Sequence, residues 1–283
     1  MPTLHILGAG TPSPTPDRFG TTCALRIGDD LLMVDCGPAA TQKLVCAGLF
    51  PTQVGWLFFT HHHSDHNAGY PCLQLVRWDH CTGGEGPLRV FGPPPTEELT
   101  SRLFGAEGAF ADDFRARIEH PASHRCHLNR GGSLPRPGPV LDARNVEPGD
   151  LVEGDDWTAR CSAAEHVEPW LTSLAWRFDW PGGSVAFTGD TRPCQSVLRL
   201  AANVGTLVAN CPLRQSRLHP ELGTCIYGTG DAAQAARDAR ADRLVLIHLT
   251  ESLVRERDDA LAEMCEVYDG EIIFADELSA LEM

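Results

Sequence analysis

The chain has 283 residues, 42% apolar and 22% charged, an ordinary globular balance that excludes a disordered, collagenous or coiled-coil protein. Its 38 acidic side chains outnumber 23 basic ones, and a formal charge of −15 repels phosphate backbones, which disfavours nucleic acid as a partner and favours a small-molecule substrate. Eleven scattered cysteines without a C-x-x-C pair read as reduced thiols. Neither a signal-peptide pattern nor a membrane-length apolar run is present, so a cytoplasmic protein with no membrane partner is expected.

Short apolar runs bounded by Gly, Pro or Asp predict strands at 4–7, 23–27 and 31–34. A helix is expected over 39–49, then a strand over 54–59 that runs directly into THHHSDHN at 60–67. A strand at 88–91 leads through GPPP to a helix over 96–104, the prolines ending one element and starting the next. Residues 105–149, rich in Pro, Gly, Arg and His with weak periodicity, predict an irregular insert acting as a lid or binding loop. Beyond it, strands are predicted at 157–163, 171–178, 184–188, 206–209 and 244–247, with helices at 194–202, 231–239 and 253–267. Strand pairs open each half and strand–helix alternation follows, so an α/β fold of two packed sheets with outer helices is expected, as one domain over 1–283.

Residues 61–66 place four histidines and an aspartate within six positions. If extended backbone continues past the strand, His61 and His63 share one side and His62 takes the other, so His62 is not expected to bind metal. Ser64 or Asp65 can cap a following helix, which turns Asp65 and His66 to a position beside the first pair. Imidazole combined with carboxylate suits zinc, manganese, iron or nickel, whereas calcium requires mainly oxygen. Two ions need further donors, and isolated residues at predicted strand ends supply them: His166 after WTARCSAAE, Asp190 after SVAFTG and His248 after RLVLI.

HHHSDH with His166, the FTGD ending at Asp190 and the IHL containing His248 resembles the metallo-β-lactamase superfamily across nearly the whole chain. Within it, GAGTPSPTPDRFGTT, the VDCG at 34–37, VFGPPP and LAWRF resemble the ribonuclease Z and arylsulfatase-like branch. The resemblance implies an αββα four-layer sandwich, a homodimer and a dinuclear site holding two Zn2+, with Mn2+ or Fe2+ as alternatives. It also implies hydrolysis by a metal-bound hydroxide. Carried onto this sequence, it gives His61, His63 and His166 to one metal and Asp65, His66 and His248 to the other, with Asp190 bridging. Asp65 would orient the attacking water or take its proton, and Asp35 would orient a ligand through hydrogen bonds.

Two positions depart from that branch. YGTGDAAQAA puts Tyr227 or Gly228 where a helper histidine is usual, and ANCP puts Asn210 where an acidic residue is common. Together with the acidic charge, these departures favour a small organic substrate (an ester, sulfate, phosphodiester or activated aryl halide). A ribonuclease Z-like RNA phosphodiesterase and a nonenzymatic metal-binding protein are the alternatives. Trp78, Trp170, Trp176 and His219 are candidates to line a substrate pocket. His120, His124, Cys126 and His127 form a second His-rich stretch without a matching ligand cluster, and read as loop.

Overall fold

A computed structural model describes all 283 residues. The first sheet begins with β1 (Thr3–Gly8), β2 (Thr22–Ile27), β3 (Asp30–Val34), β4 (Val54–Phe58), β5 (Arg89–Gly92) and β6 (Asp142–Asn145). The second holds β7 (Leu151–Glu153), β8 (Thr158–Ala164), β9 (Ser173–Trp180), β10 (Gly183–Phe187), β11 (Thr206–Asn210), β12 (Arg243–Ile247) and β13 (Glu271–Phe274). The chain then returns β14 (Ala280–Glu282) to the edge of the first sheet, so each sheet has seven strands. Strands adjacent in sequence pair antiparallel, in β1–β2–β3 and in β7–β8–β9–β10. Where longer connections intervene, pairing is parallel, in β3–β4–β5–β6 and in β10–β11–β12–β13.

Helices α1 (Ala40–Cys46), α2 (Ser64–Asn67), α3 (Tyr70–His80), α4 (Thr96–Phe104), α5 (Ala111–Glu119) and α6 (Pro121–Asn129) accompany the first sheet. The second is accompanied by α7 (Gln195–Leu200), α8 (Thr229–Ala239), α9 (Glu251–Arg255) and α10 (Arg257–Cys265). RLVLI is apolar throughout because β12 is covered on both faces. Val245 and Ile247 meet the opposite sheet, while Leu244 and Leu246 meet the helices. In β1 the same alternation sends Leu4 and Ile6 inward and Leu7 outward. The order is therefore helix, sheet, sheet, helix, the expected αββα sandwich. Its central layer is aromatic, with Phe58 packing edge-on against Trp176 and Phe178 at centroid separations of 4.9 and 5.1 Å.

Three differences from expectation have local causes. The helix expected over 253–267 divides at Glu256, whose φ of −96° and ψ of 19° fall outside the helical range. Residues 105–149 are not irregular throughout, because α5 and α6 form there and bury Phe114 and His127. Asp79 at the end of α3 secures them, accepting Arg130 and Arg136 at 2.6 and 2.8 Å, with Arg117 at 3.2 Å. The helix start after THHH has His63 as its N-cap with no side-chain cap bond, so Ser64 and Asp65 lie inside the first turn of α2.

Candidate metal centre

The predicted site residues assemble where the parallel strands of both sheets end. Beyond β4 the backbone stays extended through His63 (φ −67°, ψ 151°), which puts the rings of His61 and His63 on the same side. His62 turns away to donate from Nε2 to Thr96 Oγ1 at 2.8 Å. Asp35, Asp190 and His248 follow β3, β10 and β12, and His166 follows β8. Asp35 and His248 both adopt left-handed backbone, with φ of 60°. Gly189, at φ 59°, makes the turn into Asp190, and a Cβ there would stand 2.9 Å from the Thr60 Cβ.

Two donor groups form. One is His61, His63, His166 and Asp190; the other is Asp65, His66 and His248. His63 Nδ1 lies 3.0 Å from His61 Nε2 and 3.3 Å from His166 Nε2. Three nitrogens on a tetrahedral zinc at about 2.05 Å would stand roughly 3.3 Å apart, so this spacing fits a shared cation. In the other group, Asp65 Oδ2 is 3.1 Å from His248 Nε2 and 3.5 Å from His66 Nε2. Asp190 stands between them: its Oδ2 is 3.7 Å from His166 Nε2 and 3.5 Å from His248 Nε2.

Hydrogen bonds behind the rings fix which nitrogen faces inward. Asp35 Oδ2 accepts from His66 Nδ1 at 2.7 Å and from Thr60 Oγ1 at 2.8 Å. Because Thr60 Oγ1 has spent its proton on Asp35, it accepts from His61 Nδ1 at 3.0 Å. The Cys225 carbonyl accepts from His166 Nδ1 at 2.7 Å. Each arrangement turns Nε2 toward the cluster as a lone-pair donor. His66 Nε2 is buried without any hydrogen-bond partner, the orphan expected of a nitrogen reserved for a cation.

The electrostatics separate the two histidines. Burial and neighbouring imidazoles push His61 well below the usual histidine range, keeping it neutral. For His66, burial opposes charge, but Asp35, Asp190 and Asp65 outweigh it and raise the pKa to about 9, so a cation at Nε2 would have to displace a proton that these carboxylates favour. Asp190 is held well below the carboxylate range because the surrounding imidazoles outweigh its burial.

Several supporting residues were not foreseen. Thr60 and Cys225 act through the contacts above, and Asn210, noted only as a departure, donates from Nδ2 to Asp190 Oδ1 at 2.7 Å. Thr60 sits in the motif itself and Asn210 at a strand end, which were the available signals. Tyr227 is fully buried in the core beneath α8 with its hydroxyl unpartnered, and Gly228 is the α8 N-cap. Trp176 is core, donating to the Phe59 carbonyl, and Trp78 lines a cavity beyond α3, so neither lines the metal centre. Trp170 is 82% exposed on the loop that carries His166, and His219 is also exposed. His120 caps α6 and His124 bonds the Ile118 carbonyl, so HPASHRCH folds as a helix.

Fold and site together define a metal-dependent hydrolase. Residues 31–249 match the family described as Beta-lactamase superfamily domain, and the chain belongs to that superfamily. Divalent metal binding comes with this fold.

The chain is 28% identical to a ribonuclease Z of Mycobacterium avium (strain 104), the match covering 99% of this chain and 98% of the relative. Among solved structures, it superimposes on the metallo-β-lactamase fold protein YhfI from Bacillus subtilis with a TM-score of 0.74, at 19% identity and 100% coverage of both chains. The short form of human tRNase Z gives a TM-score of 0.70 at 18% identity, covering 99% of this chain and 98% of the other. These relatives correct one expectation. Proteins matching this chain end to end are named for cleaving RNA, so the inference from net charge to a small-molecule substrate without nucleic acid does not stand. Net charge describes the distant field, whereas phosphate binding depends on local arginines.

Proposed function

We propose that this chain is a ribonuclease Z-like phosphodiesterase that cuts RNA at a two-metal centre, zinc being the favoured ion. One observation carries the reading: two donor groups meet at Asp190 in a chain that aligns end to end with ribonuclease Z proteins. An RNA substrate and eleven free thiols support a cytoplasmic setting.

His61, His63 and His166 would hold one ion and Asp65, His66 and His248 the other, with Asp190 shared. When bound, such ions lower the pKa of water and neutralise charge on the scissile phosphate. The protein's own part is to hold donors rigidly. Asp35 and Thr60 lock His66 and His61, the Cys225 carbonyl locks His166, and Asn210 locks Asp190. Asp65, 3% exposed beside His248, would orient water or take its proton. Tyr227, sealed in the core, does not serve as the acid for the leaving oxygen.

A precursor tRNA carrying a 3′ trailer, incubated with chelator-stripped protein and then with added zinc, tests this. Trailer removal that appears only on adding metal is expected. Hydrolysis of an aryl phosphodiester without any cleavage of the precursor would sink the RNA reading.

A further inference from the structure

We infer that the chain carries a second ligand site, for a small phosphate group, at the far end of α3. α3 spans 11 residues, so about 16 Å of helix separates this end from the end nearest the metal centre. There a cavity of about 190 Å3 is walled by Arg77, Trp78, Glu85, His127, Ser133 and Arg136. None of these residues belongs to either donor group of the metal centre.

Arg77 is buried, yet its Nε and Nη2 donate only to the Val54 and Gly86 carbonyls, each at 2.7 Å. Buried charges are normally paired, because carbonyl dipoles do not replace a counter-ion. Arg77 therefore makes no ion pair, and its Nη1 makes no hydrogen bond within the chain, which leaves it for a ligand. Arg136 faces the same space, anchored through Nη2 to Asp79 and stacked 4.1 Å from the Trp78 ring. Glu85 acts on Arg77 through space but forms no ion pair with it, its Oε2 being turned onto the N–H groups of Thr82, Gly83 and Gly84. His127, in the same wall, is buried with Nδ1 unpartnered. Two guanidinium groups approaching from separate elements suit a tetrahedral oxyanion. The volume admits a phosphate with a small attached group and excludes a folded nucleic acid.

Calorimetric titration with inorganic phosphate, and separately with adenosine 5′-monophosphate, tests this on wild type and three variants. Asp190→Ala removes the metal centre as a competing phosphate site, Arg77→Gln removes the unpaired charge, and Ser133→Trp fills the mouth from an exposed rim position. Saturable phosphate binding is expected in wild type, kept within about twofold by Asp190→Ala and weakened at least about tenfold by Arg77→Gln and by Ser133→Trp. Should Arg77→Gln fail to fold, Ser133→Trp alone decides. Absent binding, binding abolished by Asp190→Ala, or wild-type affinity in Ser133→Trp would each overturn the assignment. Tighter binding of the mononucleotide identifies a phosphate monoester as the ligand, and equal binding identifies free phosphate.

Discussion

Asn210 does for Asp190 what the imidazoles cannot. Its amide occupies Oδ1 at 2.7 Å and leaves Oδ2 facing His166 and His248, one from each donor group. Asn210→Ala removes that donor, so metal affinity in a chelator competition is expected to fall about 10- to 100-fold. Unchanged affinity would remove Asn210 from the account. Tyr227 gives the opposite expectation: its buried hydroxyl has no hydrogen-bond partner, so Tyr227→Phe should keep turnover within about twofold and lose no stability. A large fall in turnover would show that the hydroxyl takes part. Site residues were legible where the chain is local, as in HHHSDH, and where a donor ends an apolar strand. Asn210 and the Cys225 carbonyl were not, because their partners lie 20 and 59 residues away and only folding joins them.

At the scale of elements, α5 and α6 hang on one carboxylate. Three arginines hold Asp79 with its pKa lowered to about 2 against the effect of burial. A carboxyl depressed on folding stabilises the native state above its ordinary pKa, so this contribution is complete above about pH 4 and disappears as pH falls toward 2. Asp79→Asn leaves Arg136 buried without its anion and is expected to cost roughly 3 kcal/mol in denaturant unfolding. The variant should also show a flatter loss of stability between pH 4 and 2; a wild-type acid profile would contradict the clamp. The central strands were legible because apolar runs covered on both faces announce themselves. The helices at Ala111–Glu119 and Pro121–Asn129 were not, since each buries little and owes its place to arginines meeting a residue outside the segment.

For the whole molecule, the layered architecture followed from the order of strands and helices, while the substrate did not follow from net charge. Residues 112–138 contain five arginines and three carboxylates within a chain of charge −15, and Arg115, Arg117, Arg130 and Arg136 already meet Asp112, Asp113 or Asp79, which leaves Arg125 outside any ion pair. A phosphate backbone would respond to individual cations at short range, where screening by salt leaves the distant acidic field weak. Precursor RNA binding should accordingly weaken at least about tenfold between roughly 50 and 200 mM salt, read by filter binding. Salt-independent binding would mean that phosphate contacts are few.

The central claim is that two metal ions sharing Asp190 cut RNA. Metal content by elemental mass spectrometry, with single-turnover cleavage of a 3′-trailered precursor tRNA on the same samples of wild type and Asp190→Ala, tests it most directly. The account predicts near two ions per chain and trailer cleavage in wild type, with loss of metal and of cleavage together in Asp190→Ala. Full cleavage by an Asp190→Ala protein that retains both ions would contradict it.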